Sequence, residues 1–454
     1  MKITIVVLVF LITLSIPVTA AEPQVWSVNS RADVLKGDAR GVSIDQDGTI
    51  TLAPNLTEVY KTGEQFIWSS AVDASGNVYL GTGGDGKVFK VTASGQGGLL
   101  TDLAEMNVTS LAAGKNGELF AGTSPDGKVY RIDASGKADI YFDPKEKYIW
   151  SLAVMTDGSL AVATGDRGVI YRVQNAGAAR EASILFDTSE THVISLATDK
   201  QGNLYAGTDS NGIVMRFDAS GKPFGLLDSP LREIHDIAVG ADGSVYVLAL
   251  GESASTPKPD ATPAAPASVP STAVSADKPG TTTEPAAKSR YDLTAAKSAV
   301  YRILPDGGTD LLWSSPTVVG FSLAASSNGV LVGTADKGRI YSISNESREQ
   351  LLLQTDASQI STLLSSTSGT MATSSNQGSL YRFGAGPAAE GTYDSAVLDA
   401  KNTASWGRIW WRSSGNVTIQ TRSGNTEKPD ETWSPWSSAI TDQKGVPTTS
   451  PKAR

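Results

Sequence analysis

The chain has 454 residues, 40% of them hydrophobic, enough for a large core and for more than one domain. Its 47 acidic and 38 basic residues give a net charge of −9 with no basic stripe, so nucleic acid, whose phosphates would be repelled, is excluded as an expected partner. With no cysteine there is no disulfide, no thiolate zinc site and no lipidated cysteine, and packing alone must hold the protein together.

Lys2, the apolar run Ile3 to Ile16, Pro17 and the small-residue site Val18-Thr19-Ala20 read as a secretory signal peptide over residues 1–20, cleaved near Ala20 or Ala21. The run is shorter than the ~20 residues a membrane helix needs. A mature chain with no transmembrane anchor, secreted or periplasmic, is therefore expected.

Next comes a repeated unit. Gly81-Thr82-Gly83-Gly84-Asp85-Gly86-Lys87-Val88-Phe89-Lys90-Val91 has relatives centred on Tyr130, Tyr171, Met215, Tyr301, Tyr341 and Tyr381, at steps of 41, 41, 44, 86, 40 and 40 from Phe89. Each repeat reads as four short strands, A to D. In the third these are residues 151–154, 159–162, 170–173 and 183–186, with Asp157-Gly158 and Asp166-Arg167-Gly168 supplying the turns. Strands apolar on both faces with a period of 40 to 50 residues predict an all-β, seven-bladed β-propeller, each blade sandwiched between two others.

The last repeat lacks a D strand, and residues 58–61 parallel the D strand at residues 139–142. The N-terminal segment is expected to complete the last blade and remove an open edge. A hairpin at Val42–Leu52 is left over, which leaves an eighth blade or a five-stranded blade open. In the fifth repeat, residues 251–297, rich in Ala, Pro, Ser and Thr, separate strands B and C. Such composition cannot offset chain entropy by burial, so the insertion is expected to be disordered.

The propeller is expected to span residues 21–390. Residues 391–454 hold Trp406, Trp410, Trp411, Trp433 and Trp436 and predict a β-sandwich-like module with strands at 395–398, 408–411 and 417–420. Its Trp433-Ser434-Pro435-Trp436-Ser437 motif could stack with Arg408, Arg412 or Arg422.

Two lookalikes are set aside. Gly81 to Gly86 matches GxGxxG, but a strand follows where a phosphate loop needs a helix, so a hairpin is predicted. Asp73-Ala74-Ser75-Gly76 opens like a calcium loop but lacks its twelfth-position glutamate and reads as a turn. No metal or cofactor is expected.

Overlaying the A strands aligns Trp68, Thr109, Trp150, Ile194, His235 and Phe321, followed by Ser69, Ser110, Ser151, Ser195, Asp236 and Ser322. Trp68, Trp150, His235, Asp236 and Phe321 are the candidate ligand-binding residues, converging at one mouth of the channel with a His235–Asp236 pair to fix orientation. The hydroxyl column is expected to satisfy backbone groups near the axis.

The pattern strand–DxxG–strand–GT–strand–[KR]V[FY]R[VI]D over residues 42–383 resembles secreted bacterial propellers of the NHL, PQQ-like and sensor-propeller type. More distantly it is similar to gluconolactonase and streptogramin-lyase propellers, whose channels carry acidic and amide metal ligands or a His with a Glu. This chain has only His192 and His235, and its inner columns offer Ser and Ala. The expected function is an exported, non-enzymatic scaffold with no catalytic residues, binding a glycan or an envelope or extracellular protein. The alternative is a channel enzyme built on His235 and Asp236.

Overall fold

The structure, a computed structural model, describes residues 24–176, 179–251, 292–366 and 369–454. The expected signal peptide, and residues 252–291 of the expected insertion, lie outside the described residues. The chain divides into two compact units, Ser30–Asp394 and Ser395–Arg454, the second also taking in residues 24–29.

In the first unit, consecutive strands pair antiparallel into four-stranded meanders. The innermost strands are Phe66–Val72, Asn107–Ala113, Ile149–Val154, His192–Thr198, Glu233–Val239, Gly320–Ser326 and Gln359–Ser366. Each touches the next in this order, and Gln359–Ser366 touches Phe66–Val72, so the inner strands form a closed circle. That circle is a β-propeller. The second strand of each meander is buried on both faces, as in Val78–Gly83 and Leu160–Thr164, because neighbouring sheets cover it on either side.

Turn chemistry explains both lookalikes. Asp73 Oδ1 accepts the N–H groups of Ser75 and Asn77, each at 2.9 Å, while its Oδ2 takes Asn77 Nδ2 and the Tyr79 hydroxyl. The carboxylate is thus fully engaged in shaping the turn. The glycine-rich segment joins strands Val78–Gly83 and Lys87–Val91. Gly86 has φ +62°, and a Cβ there would lie 2.0 Å from the Glu105 carbonyl oxygen, so only glycine fits.

The last meander is completed from the other end of the chain. Pro54–Lys61 pairs with Ser379–Pro387, with Tyr60 opposite Leu380 and Glu58 opposite Tyr381. The D strand expected at 58–61 is present and begins four residues earlier. The hairpin of Val42–Ile44 and Ile50–Leu52 joins the outer strand Glu349–Gln354, with Ile44 opposite Leu351, and extends the sixth sheet to six strands.

The end of the insertion differs from its expected disorder. Leu293 is buried, Gly251 N–H donates to the Lys297 carbonyl at 3.0 Å, and Lys297 N–H donates to the Ser315 carbonyl at 2.8 Å. A single leucine placed over the fifth sheet orders residues 292–297, an effect that average composition conceals.

In the second unit the expected strand at 395–398 does not form; a short ladder pairs Arg408–Ile409 with Val446–Pro447, and isolated bridges join Ala404 to Ala453 and Ile419 to Ile440. The tryptophan motif instead staples a hairpin. Ser434 and Thr421 face Ser423 and Ser437, the Ser434 and Ser437 hydroxyls accepting the Ser423 and Thr421 N–H groups at 3.1 and 3.0 Å. Of the three candidate arginines, Arg422 lies over both Trp436 (4.3 Å) and Trp433 (5.8 Å). Its cation thereby finds two electron-rich faces at once.

Candidate functional site

A β-bulge occurs at the same place in every inner strand. The ladder to the second strand skips Trp68, Thr109, Trp150, Ile194, His235, Phe321 and Ser361 in turn. An extra residue bends the strand and re-aims the side chain it carries. The six positions aligned in the sequence, joined by Ser361, are therefore seven bulges near the first residues of the described inner strands, the end at which a mouth is expected. Trp68 is 48% exposed, and Trp150, His235, Asp236 and Phe321 are half-buried.

The residues do not form one cluster. His235 and Phe321 meet edge to face at 4.9 Å. Trp150 stacks on Tyr148 at 5.0 Å and 13°, and Trp68 lies 6.2 Å from Phe66. Glycines make room for both indoles: a Cβ on Gly83 would fall 1.6 Å from Trp68 Nε1, and one on Gly165 would fall 2.5 Å from Trp150 Nε1.

The expected His235–Asp236 pair is not formed. His235 Nδ1 pairs instead with Glu233 Oε1 at 2.5 Å, two residues earlier on the same strand. The Asp236 carboxylate is engaged by backbone groups. Its Oδ2 accepts the Leu323 N–H at 2.7 Å and its Oδ1 the Ile237 N–H at 2.8 Å. This is the role of the hydroxyl column: Ser69 donates to the Val108 carbonyl at 2.8 Å, Ser195 to the Ile234 carbonyl at 3.2 Å, and Ser151 accepts the Leu196 N–H at 3.1 Å. Each ties one inner strand to its neighbour. The Ser110 and Ser322 hydroxyls are buried without such a partner.

Electrostatics separate the two histidines. Burial disfavours charge on His235, but the hydrogen bond and charge of Glu233, with Asp236, outweigh it and raise its pKa above the ordinary value. Burial raises the Asp236 carboxyl to about 6 against the opposing Leu323 and Ile237 N–H groups and His235. His192 is shifted the other way, lowered chiefly by burial.

Sequence comparison of the bulge column missed a second one, two residues earlier: Phe66, Asn107, Tyr148, His192, Glu233, Val319 and Gln359. The two-residue spacing was the available signal. Glu233 lies opposite Asp209 on the neighbouring sheet, and Arg232 Nε donates to Asp209 Oδ1 at 2.9 Å. Among the described residues, no three His, Cys, Asp or Glu side chains are grouped to hold a metal ion. Among them, too, no helix is long and apolar enough to cross a membrane.

No protein-family model matches the sequence, and no curated protein matches it. Among solved structures, the chain is similar to a streptogramin B lyase at 12% identity and TM-score 0.54, over 75% of this chain and 98% of that one. It is similar to YCF48 bound to D1 peptide at 13% identity and TM-score 0.50, over 73% and 97% of the two chains. A third similarity is to the extracellular domain of a hybrid two component system from B. thetaiotaomicron, at 14% identity and TM-score 0.50, over 72% of this chain and 39% of that one. At these identities the shared property is the propeller fold.

Proposed function

We propose that the protein is an exported, non-enzymatic propeller whose bulge-lined mouth binds a peptide or protein partner at the cell envelope or outside the cell. The observation that carries this reading is the bulge repeated in all seven described inner strands, which sets aromatic residues of three separate sheets, Trp68, Trp150 and Phe321, at equivalent positions. A rigid ring presenting apolar faces with a few fixed polar groups suits recognition of an extended segment. YCF48 bound to D1 peptide and the extracellular domain of a two component system support it as propellers of that kind. Residues 1–20 serve as the export signal in this reading, and the unit after residue 390 assists binding. The test places a photo-crosslinking amino acid at Trp68 or Phe321, with Ser75 in a turn at the far end of its inner strand as control. A discrete protein adduct from the mouth positions alone supports the proposal. Equal labelling from Ser75, a glycan adduct or no adduct overturns it.

One observation favours a second reading, a channel enzyme. Lyase-type propellers are expected to carry a His with a Glu, and Glu233 and His235 form such a contact. Turnover on a lactone and ester panel that disappears in His235→Ala would establish it in place of the scaffold.

A further inference from the structure

His192 Nδ1 faces two N–H donors at once, the Trp150 indole Nε1 at 3.1 Å and the Asp166 backbone N at 3.3 Å. An imidazole nitrogen can accept only with its lone pair, so the ring proton must sit on Nε2. We propose that His192 is an acid-sensitive latch, which fixes the Trp150 indole at the mouth while neutral and releases it when protonated. In the imidazolium both ring nitrogens are donors, so an N–H would point at two other N–H groups and both bonds would be lost together.

The surroundings make the arrangement specific. His192 meets the Trp150 ring edge-on at 5.7 Å and the Tyr148 ring at 6.1 Å, and a Cβ on Gly165 would lie 2.6 Å from Nδ1. Freed from His192, the Trp150 ring keeps its stack on Tyr148 but loses the hydrogen bond that fixes its indole N–H. The charged groups around the ring come from three elements. Asp209 lies directly opposite on the paired strand and is bonded to Arg232; Asp166 follows the second strand of the third meander and is paired with Lys147 at 2.9 Å; Glu233 and Arg232 open the fifth inner strand. The three carboxylates favour a charge on His192 while burial and Arg232 oppose it, so protonation begins below the ordinary histidine range.

The latch stands independently of the binding reading, whereas its use in regulating a ligand rests on that reading. The experiment follows the indole N–H of Trp150 by NMR in the full chain from pH 8 downward, assigned with Trp150→Phe. The expected result is a downward-pH transition in which solvent exchange of this proton accelerates about tenfold or more, as expected for loss of its hydrogen bond. In His192→Asn, whose side-chain oxygen accepts at every pH, the transition should vanish. An indole signal unchanged down to the onset of acid unfolding, or the same transition retained in His192→Asn, overturns the latch. Crosslinking from Trp68 at the two ends of the transition reports separately on ligand regulation: an equal adduct at both ends counts against regulation alone, no adduct at either counts against the binding reading, and both leave the latch standing.

Discussion

Asp236 Oδ2 accepts the backbone N–H of Leu323 at 2.7 Å, so the one acid in a column of hydroxyls joins the inner strands of the fifth and sixth sheets. Removing it in Asp236→Ala should leave two buried N–H groups without an acceptor and cost about 2–3 kcal/mol. Asp236→Ser should cost less than half of that, since Ser151 already accepts a neighbouring strand's N–H in the equivalent position. Urea midpoints would check the order, and equal losses would count against the staple.

The same carboxyl should give stability a pH dependence. Its folded pKa, about 6, lies above the ordinary carboxylate value of 3.8, so the folded state holds the proton more tightly. Its stabilising contribution is complete below about 3.8 and is lost as pH rises through about 6. Asp236→Ser should therefore lose less stability than the native chain between pH 4.5 and 7.5.

His235 should titrate above His192. Glu233→Gln should bring the His235 pKa down, because the carboxylate at 2.5 Å is what outweighs burial. A raised imidazole pKa contributes stability that is full below about 6.5 and disappears as pH rises through the folded value. With two histidines in the chain, NMR titration of both rings reads the result directly.

Ring closure should dominate overall stability. A chain lacking residues 24–61 loses the whole ladder to Ser379–Pro387 and exposes that edge, at a cost of several kcal/mol. Tyr60→Ala, which removes a half-buried ring packed 6.2 Å from Phe89, should cost about 1–2 kcal/mol. Thermal melts unchanged in both variants would mean that closure is not what holds the ring.

Gly83→Ala should displace Trp68 while the fold persists, because the new methyl would occupy the position of its indole nitrogen. Trp68 is already 48% exposed and can swing outward. Weaker crosslinking from Phe321 in this variant, with melting within about 1 kcal/mol of the native chain, is the expected outcome.

The sequence by itself determined the repeat, the strand and turn order and the donor of the closing strand, because these follow from short apolar runs recurring at a fixed period and from glycines at turns that need positive φ. It also aligned Trp68, Trp150, His235 and Phe321, since equivalent positions in a repeat fall at equivalent places in a ring. What it could not decide was which neighbour each side chain meets. Adjacency in the chain suggested His235 with Asp236; the folded ring instead gives His235 to Glu233 and Asp236 to Leu323, 87 residues away. The pairing of Trp150 with His192 spans 42 residues and two sheets, and exists because closing the ring brings consecutive inner strands side by side. Local pattern fixes the strands, whereas the contacts that give the mouth its chemistry cross between them, and only the closed circle sets those distances.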